Sequence, residues 1–191
     1  MNVLLLGASG SVGRRILEQG LARGHAIRAQ TRDATRLPDQ PAGIEVVTAE
    51  PTDAAALSRL VAGQDAVIMA LGAAPARPTT LFSDVSGKLC EAMTAAGAQR
   101  LVAITGVGAG ETRGHGGFIY DRLIYPLFTR PIYEDKDRQE RIIGESALDW
   151  VIVRENSEGE YAGCGGRVHR GLPEEVGTEV AVFTRVGVQR I

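Results

Sequence analysis

A chain of 191 residues is the size of one domain, and 44% hydrophobic against 23% charged content is ordinary for a water-soluble globular protein. A net charge of −2 gives no electrostatic attraction to nucleic acid or anionic membrane, and no apolar run approaches the length that spans a bilayer. Cys90 and Cys164 lack metal-ligand spacing, so no metal site is expected. No basic-then-apolar leader pattern opens the chain, and the isolated thiols suit a reducing compartment, so the expected location is cytoplasmic.

Residues 3–6 form a short apolar run that leads straight into Gly7-x-x-Gly10-x-x-Gly13. A strand entering a glycine turn, followed by a helix, leaves unpaired N–H groups pointing out of the helix start, and such an end attracts phosphate. Gly7 allows the tight turn, Gly10 lets a pyrophosphate approach the backbone, and Gly13 lets the helix pack on the sheet. The helix is expected over 11–23, with Ile16, Leu17, Gly20 and Leu21 on its inner face and Gly24 at its end. Strands follow at 26–31 and 45–48, then a short helix at 54–61 and a strand at 65–71 closed by Gly72. Helical periodicity covers 82–96, a fifth strand 101–105, two helical stretches 119–129 and 134–146, and a sixth strand 150–153.

This alternation predicts an α/β fold: a Rossmann-like, doubly wound parallel sheet in three αβα layers, with ligand beyond the carboxyl ends of the strands. Residues 1–154 make up the NAD(P)-binding part. Residues 155–191 are a divergent C-terminal segment of the same domain, polar and glycine-rich at first, with one possible strand over 180–188.

The second strand ends Thr31-Arg32-Asp33. An acidic residue there hydrogen-bonds the ribose 2′-hydroxyl of NAD, whereas an arginine accommodates the 2′-phosphate of NADP. Arg32 favours NADP, with Asp33 as the competing NAD reading; Arg14 is a second positive charge whose simpler role is a surface one. Glu50 or Asp53 suits the adenine rim, and Asp53 equally suits an N-cap of the next helix. Leu71 and Gly72 end the fourth strand, on the nicotinamide side, where Gly72 serves as well for a simple turn. Thr105 ends the fifth, where its hydroxyl could meet substrate or nicotinamide ribose, or bond within its own loop. Residues 106–117 hold six glycines and His115, a composition expected of a moving lid, in which His115 is an exposed histidine rather than an acid. Lys136 follows Tyr133 at i+3, not at the i+4 spacing that aligns a tyrosine acid with a lysine on one helix face. Side chains at i,i+3 can still meet, so a Tyr133–Lys136 acid pair stays open; the expected role of Lys136 is to contact cofactor ribose or substrate, with a solvent pair to Glu140 as the plainer alternative.

These residues together resemble the atypical short-chain dehydrogenase/reductase families, in particular the small biliverdin/flavin-reductase-like branch. The likeness is carried by Gly7-Ala-Ser-Gly-Ser-Val-Gly13, Thr31-Arg32-Asp33, Gly63-Gln-Asp-Ala-Val-Ile68, Pro78-Thr-Thr80, Val102-Ala-Ile-Thr105 and Asp149-Trp-Val-Ile-Val-Arg154. It implies NADPH as cofactor, with NAD the lesser alternative, and hydride transfer to a planar small-molecule acceptor such as a flavin, quinone or tetrapyrrole. It further implies that Gly7, Ser9, Gly10, Ser11 and Val12 cradle the pyrophosphate and Arg32 takes the 2′-phosphate. Glu50 and Pro51 would lie near adenine, Leu71 and Gly72 near ribose, and Thr105 near nicotinamide. The Tyr-x-x-x-Lys of ordinary members is absent, so Thr105 and Lys136 are the candidate catalytic residues. After Arg154 the family pattern of a proline and a substrate-covering segment gives way to Glu155-Asn156, as in a diverged, truncated or frame-shifted form. The alternative function is a non-catalytic NADP sensor or scaffold. The expected assembly is a monomer or small homo-oligomer, with neither nucleic acid nor membrane as partner.

Overall fold

The computed structural model describes residues 1–37, 42–73, 79–98, 100–106, 130–155 and 167–171, with 106, 130, 154, 155 and 167–171 described through their backbone. Strand β1 (Asn2–Leu6) feeds helix α1 (Ser11–Ala22), and β2 (Ala26–Thr31) follows. A single 3-10 turn (Ala34–Arg36) then precedes β3 (Ile44–Thr48). The chain continues through α2 (Ala54–Val61), β4 (Ala66–Met69), α3 (Leu81–Ala96), β5 (Arg100–Gly106), α4 (Arg130–Gly144), β6 (Asp149–Glu155) and β7 (Arg167–Gly171). The expected elements over these residues all form, with ends shifted by a few residues. The 3-10 turn and β7 had no counterpart in the sequence reading. The helix expected over 119–129, the glycine-rich loop with His115, Cys164 and the strand expected over 180–188 lie outside the described residues.

One sheet holds all seven strands in the order β3-β2-β1-β4-β5-β6-β7. The first six are mutually parallel, and β7 runs antiparallel against β6. The order reverses direction between β1 and β4, which is the switch point of a doubly wound sheet. Right-handed crossovers then require α1 on one face and α3 and α4 on the other. The cores agree. Val3, Leu5, Ile27, Ala29 and Ile68 pack beneath Ile16 and Leu17 of α1. Leu4, Leu6, Val67, Met69, Leu101 and Ala103 pack against Leu57 of α2, Val85, Leu89 and Met93 of α3 and Ile143 of α4. Because β1 and β4 are covered on both faces, their sequences are continuously apolar rather than alternating.

Helices α3 and α4 are joined by a buried carboxylate. Thr80 at the start of α3 provides no side-chain cap. Instead Asp135 of α4, fully buried, accepts the Phe82 backbone N–H at 2.8 Å and the Ser83 hydroxyl at 2.5 Å. Arg138, one turn on, completes the carboxylate's partners at 3.1 Å. A negative charge at a helix start is favourable, here supplied across the helix–helix interface rather than locally. Asp135→Ala strips this cap, leaving the buried Phe82 N–H without its acceptor and the Ser83 hydroxyl with the Thr80 carbonyl alone. It is expected to lower unfolding free energy by roughly 2–4 kcal/mol, read as a reduced urea midpoint. A midpoint equal to wild type would show that the carboxylate does not join the helices.

Candidate functional site

At the end of β1 the backbone turns at Gly7, whose φ of +81° belongs to the left-handed region. A Cβ there would also lie 2.5 Å from the carbonyl oxygen of Ala70 at the end of β4. At Gly13 a Cβ would collide with the Gly7 carbonyl, so α1 approaches the turn as closely as a chain without side chains permits. Gly10 N–H donates to the Gly7 carbonyl at 3.1 Å, and Gly10 caps α1 with no side-chain acceptor. The first amides of a helix have no intrahelical acceptor. The turn therefore offers an uncapped, positively polarised helix start, walled by backbone and narrow enough for a ligand to lie against the chain.

The side chains at the end of β2 hold this turn in place. Gln30 is buried; its Oε1 accepts the Gly7 N–H at 3.0 Å and its Nε2 donates to the Ala49 carbonyl at 2.6 Å. Its own carbonyl accepts Ala8 N–H at 3.0 Å. Thr31 Oγ1 lies 2.9 Å from Ser9 Oγ and also bonds to the backbone of Asp33. Two consecutive β2 residues thus tether Gly7, Ala8 and Ser9. The sequence reading passed over Gln30, although an amide in a strand due to be buried on both faces was a visible signal.

Beyond Thr31, Arg32 is exposed and has no hydrogen-bonding or ionic partner among the described residues. Asp33, the competing candidate, is engaged locally: its Oδ1 accepts both the Thr35 hydroxyl at 2.6 Å and the Thr35 N–H at 3.0 Å. Those bonds hold its carboxyl below the ordinary carboxylate value. Arg14 reaches over from α1 and donates to the Arg36 carbonyl at 2.5 Å, fixing the 3-10 turn beside Arg32. Three guanidinium groups therefore belong to this corner of the α1 face.

The remaining candidates line the same edge of the sheet. Glu50 is exposed and Pro51 buried just after β3, and the Glu50 carbonyl accepts Asp53 N–H at 3.1 Å. Asp53 caps α2 through Ala55 N–H at 2.9 Å and Ala56 N–H at 3.3 Å. Leu71 is half-buried against the core, and a Cβ on exposed Gly72 would meet nothing, so space is open beside the β4 tip. Thr105 at the end of β5 is buried and donates to Glu140 Oε1 of α4 at 2.9 Å, a partner outside its own loop. Lys136 Nζ stands 5.2 Å from the centroid of the Phe82 ring, within cation–π range, and Tyr133 is buried. Adenine, 2′-phosphate, pyrophosphate and nicotinamide candidates thus follow one another along the carboxyl ends of the strands in the sheet order β3-β2-β1-β4-β5.

A hollow of about 410 Å³ lies at the opposite edge of the sheet, lined by Asn2, Ile27, Arg28, Ile44 and Gln64 among others. The Arg28 guanidinium there is already bonded to Glu45 and to the Leu60 and Ala62 carbonyls, so it offers no free charge to a ligand. Among the described residues no group of His, Cys, Asp and Glu is placed to hold a metal, and no helix is long and apolar enough to cross a membrane.

Gln30→Leu keeps the volume of the side chain but deprives the half-buried Gly7 N–H and Ala49 carbonyl of their side-chain partner. The expected cost is about 1–3 kcal/mol, measured by urea unfolding. An unaltered free energy would show that the amide does not hold the turn.

A family model described as NAD(P)H-binding matches residues 7–180. Among solved structures, the chain is similar to ChuY, an anaerobillin reductase from Escherichia coli O157:H7. The two are 22% identical with a TM-score of 0.67, over 81% of this chain and 72% of that one. A short-chain dehydrogenase/reductase from Veillonella parvula, solved in complex with NADP, gives the same TM-score at 14% identity over 80% of this chain and 68% of that one. Both likenesses are of fold. A stretch of 51 residues, 27% of the chain, is 80% identical to the probable tartrate dehydrogenase/decarboxylase TtuC' of Agrobacterium vitis. That stretch spans 14% of the relative's length.

Proposed function

The chain belongs to the NAD(P)H-binding family, and from that premise we propose that it is an NADPH-dependent oxidoreductase of the atypical short-chain dehydrogenase/reductase type. Its substrate is a planar small-molecule acceptor such as a flavin, a quinone or a tetrapyrrole. The observation that carries the cofactor reading is the glycine turn at Gly7, closed by backbone and opening onto an uncapped helix start, beside an Arg32 that has no partner among the described residues. Those residues fit a dinucleotide: the helix start suits a pyrophosphate and the Arg32 guanidinium an additional phosphate. The likeness to a structure solved with NADP and to an anaerobillin reductase supports the same direction.

In this reading Gly7, Ser9, Gly10, Ser11 and Val12 hold the pyrophosphate and Arg32 the 2′-phosphate. The engagement of Asp33 with Thr35 supports Arg32 over an acidic ribose contact. Glu50 and Pro51 border the adenine, and Leu71 and Gly72 the ribose. The nicotinamide supplies the hydride when bound; the protein supplies binding and orientation. Thr105 and Lys136 flank the reacting end, and the proton that follows the hydride comes from Thr105, Lys136 or water. The molecule works in the cytoplasm as a monomer or small homo-oligomer.

A second reading, an NADP sensor without turnover, is favoured by one feature. Tyr133 is buried and Lys136 rests over Phe82, an arrangement unlike an exposed tyrosine acid aligned with its lysine.

Thermal melts with NADPH and NADH side by side test the cofactor. NADPH at about 100 times its dissociation constant is expected to add about 2.7 kcal/mol to stability, with NADH far less effective at equal concentration. Arg32→Ala is expected to cost about tenfold or more in NADPH affinity, the worth of a charge-assisted bond, and to leave NADH binding unchanged. A preference that survives Arg32→Ala would place the phosphate pocket elsewhere. Loss of the 340 nm absorbance on adding FMN or a quinone is the expected sign of a reductase; stabilisation without that loss would establish the sensor.

A further inference from the structure

Thr105 is only 2% exposed, and its Oγ1 donates to Glu140 Oε1 at 2.9 Å. A threonine hydroxyl has one proton, and a carboxylate only accepts. With that proton committed to Glu140, Thr105 has lone pairs left for any other neighbour. Helix α4, which carries Glu140, is itself fixed: Asp135 ties it to the start of α3, and Gln139 and Ile143 are buried beneath it. Thr105 ends β5, two strands from the glycine turn on the side away from Arg32, where the far half of a dinucleotide lies in a doubly wound sheet.

From this pairing we propose that Glu140 is a positioning residue of the nicotinamide half-site, holding Thr105 as a hydrogen-bond acceptor. The inference rests on the dinucleotide reading above and deepens it. The ligand group that meets Thr105 is then a donor: the carboxamide NH₂ or a ribose hydroxyl of the nicotinamide mononucleotide half. Thr105 is correspondingly not the source of the proton that follows the hydride, which leaves Lys136 or water. A purely structural role for the pair would satisfy a buried hydroxyl without distinguishing one half of the cofactor from the other.

The two halves can be offered separately. NADP⁺ carries the nicotinamide half, whereas adenosine 2′,5′-bisphosphate carries the 2′-phosphate and adenine without it. Isothermal titration of the full chain with each ligand is the experiment, with melting curves confirming that every variant folds. Glu140→Ala and Thr105→Val are each expected to weaken NADP⁺ binding about five- to tenfold, the effect of one oriented hydrogen bond. Adenosine 2′,5′-bisphosphate affinity should stay within about twofold. The double variant should bind NADP⁺ no more weakly than Thr105→Val alone, because Glu140 acts through Thr105. Glu140→Gln retains a side-chain oxygen that accepts from Thr105 and should restore most of the affinity.

Equal losses for both ligands, no loss for NADP⁺, or additive losses in the double variant would each overturn the role of Glu140 while leaving the cofactor reading intact. Wild-type protein that binds neither ligand would overturn the cofactor reading and this inference with it.

Discussion

The structure depends on one close approach of backbone to backbone. At the junction of β1, α1 and β4, the Gly7 carbonyl lies against Gly13 while Gly7 itself lies against the Ala70 carbonyl. A side chain at either glycine would push α1 off the sheet or β1 away from β4, and the switch point between those strands would be lost. The same contact decides where α1 begins and therefore where its uncapped amides point. Gln30 and Thr31 convert that closeness into rigidity, because each spends its polar side chain on the turn. A buried, satisfied amide is costly to disturb, so the turn keeps its shape with or without a ligand. Preorganisation of this kind spares a bound anion the cost of ordering the loop.

The far side of the cleft is built by different means. No glycine is sterically required at the β4 tip, where Gly72 has open space beside it. Order comes from α4, two of whose carboxylates reach other elements: buried Asp135 to the start of α3 and half-buried Glu140 to the end of β5. Lys136 lies over the ring of Phe82, whose backbone N–H Asp135 holds. One helix therefore sets the positions of Thr105 and Lys136 together. A shift of α4 would be felt at both, whereas the glycine turn, held by Gln30 and Thr31, makes none of these contacts.

Much of this was legible in the sequence because it rests on local chemistry. Glycine spacing after an apolar strand, Arg32 at the end of β2 and Asp53 ahead of α2 each express a short-range constraint. The six parallel strands followed from the alternation of periods, and the structure places them in the expected doubly wound order. Long-range polar contacts were less accessible. Asp135 sits in the acidic stretch Glu134-Asp135-Lys136-Asp137, which reads as a solvated helix face, yet it is fully buried because it caps a helix 53 positions upstream. A solvent pair with Lys136 is the only role the spacing suggests for Glu140, whereas its bond to Thr105 spans 35 positions. No periodicity encodes such pairs; tertiary packing creates them. Strand β7 was missed for a related reason. It has no apolar run of its own and forms as an edge by antiparallel pairing with β6.

The contrast between the two ends bears on what kind of chemistry the site can support. In the proposed reading the phosphate end is specified by backbone geometry and by Arg32, which has no partner among the described residues, and neither touches the reacting atoms. The reacting end offers Thr105, its proton already engaged by Glu140, and Lys136, its ammonium resting on an aromatic face. Strong general acid catalysis needs a group poised to give up a proton to the substrate. Hydride transfer to an electron-poor ring needs chiefly alignment of donor and acceptor, with water able to complete the protonation. A site that invests its buried polar groups in fixing position rather than in an acid is suited to the second task. In the proposed reading, the binding energy of the phosphates would be what holds the hydride donor in line.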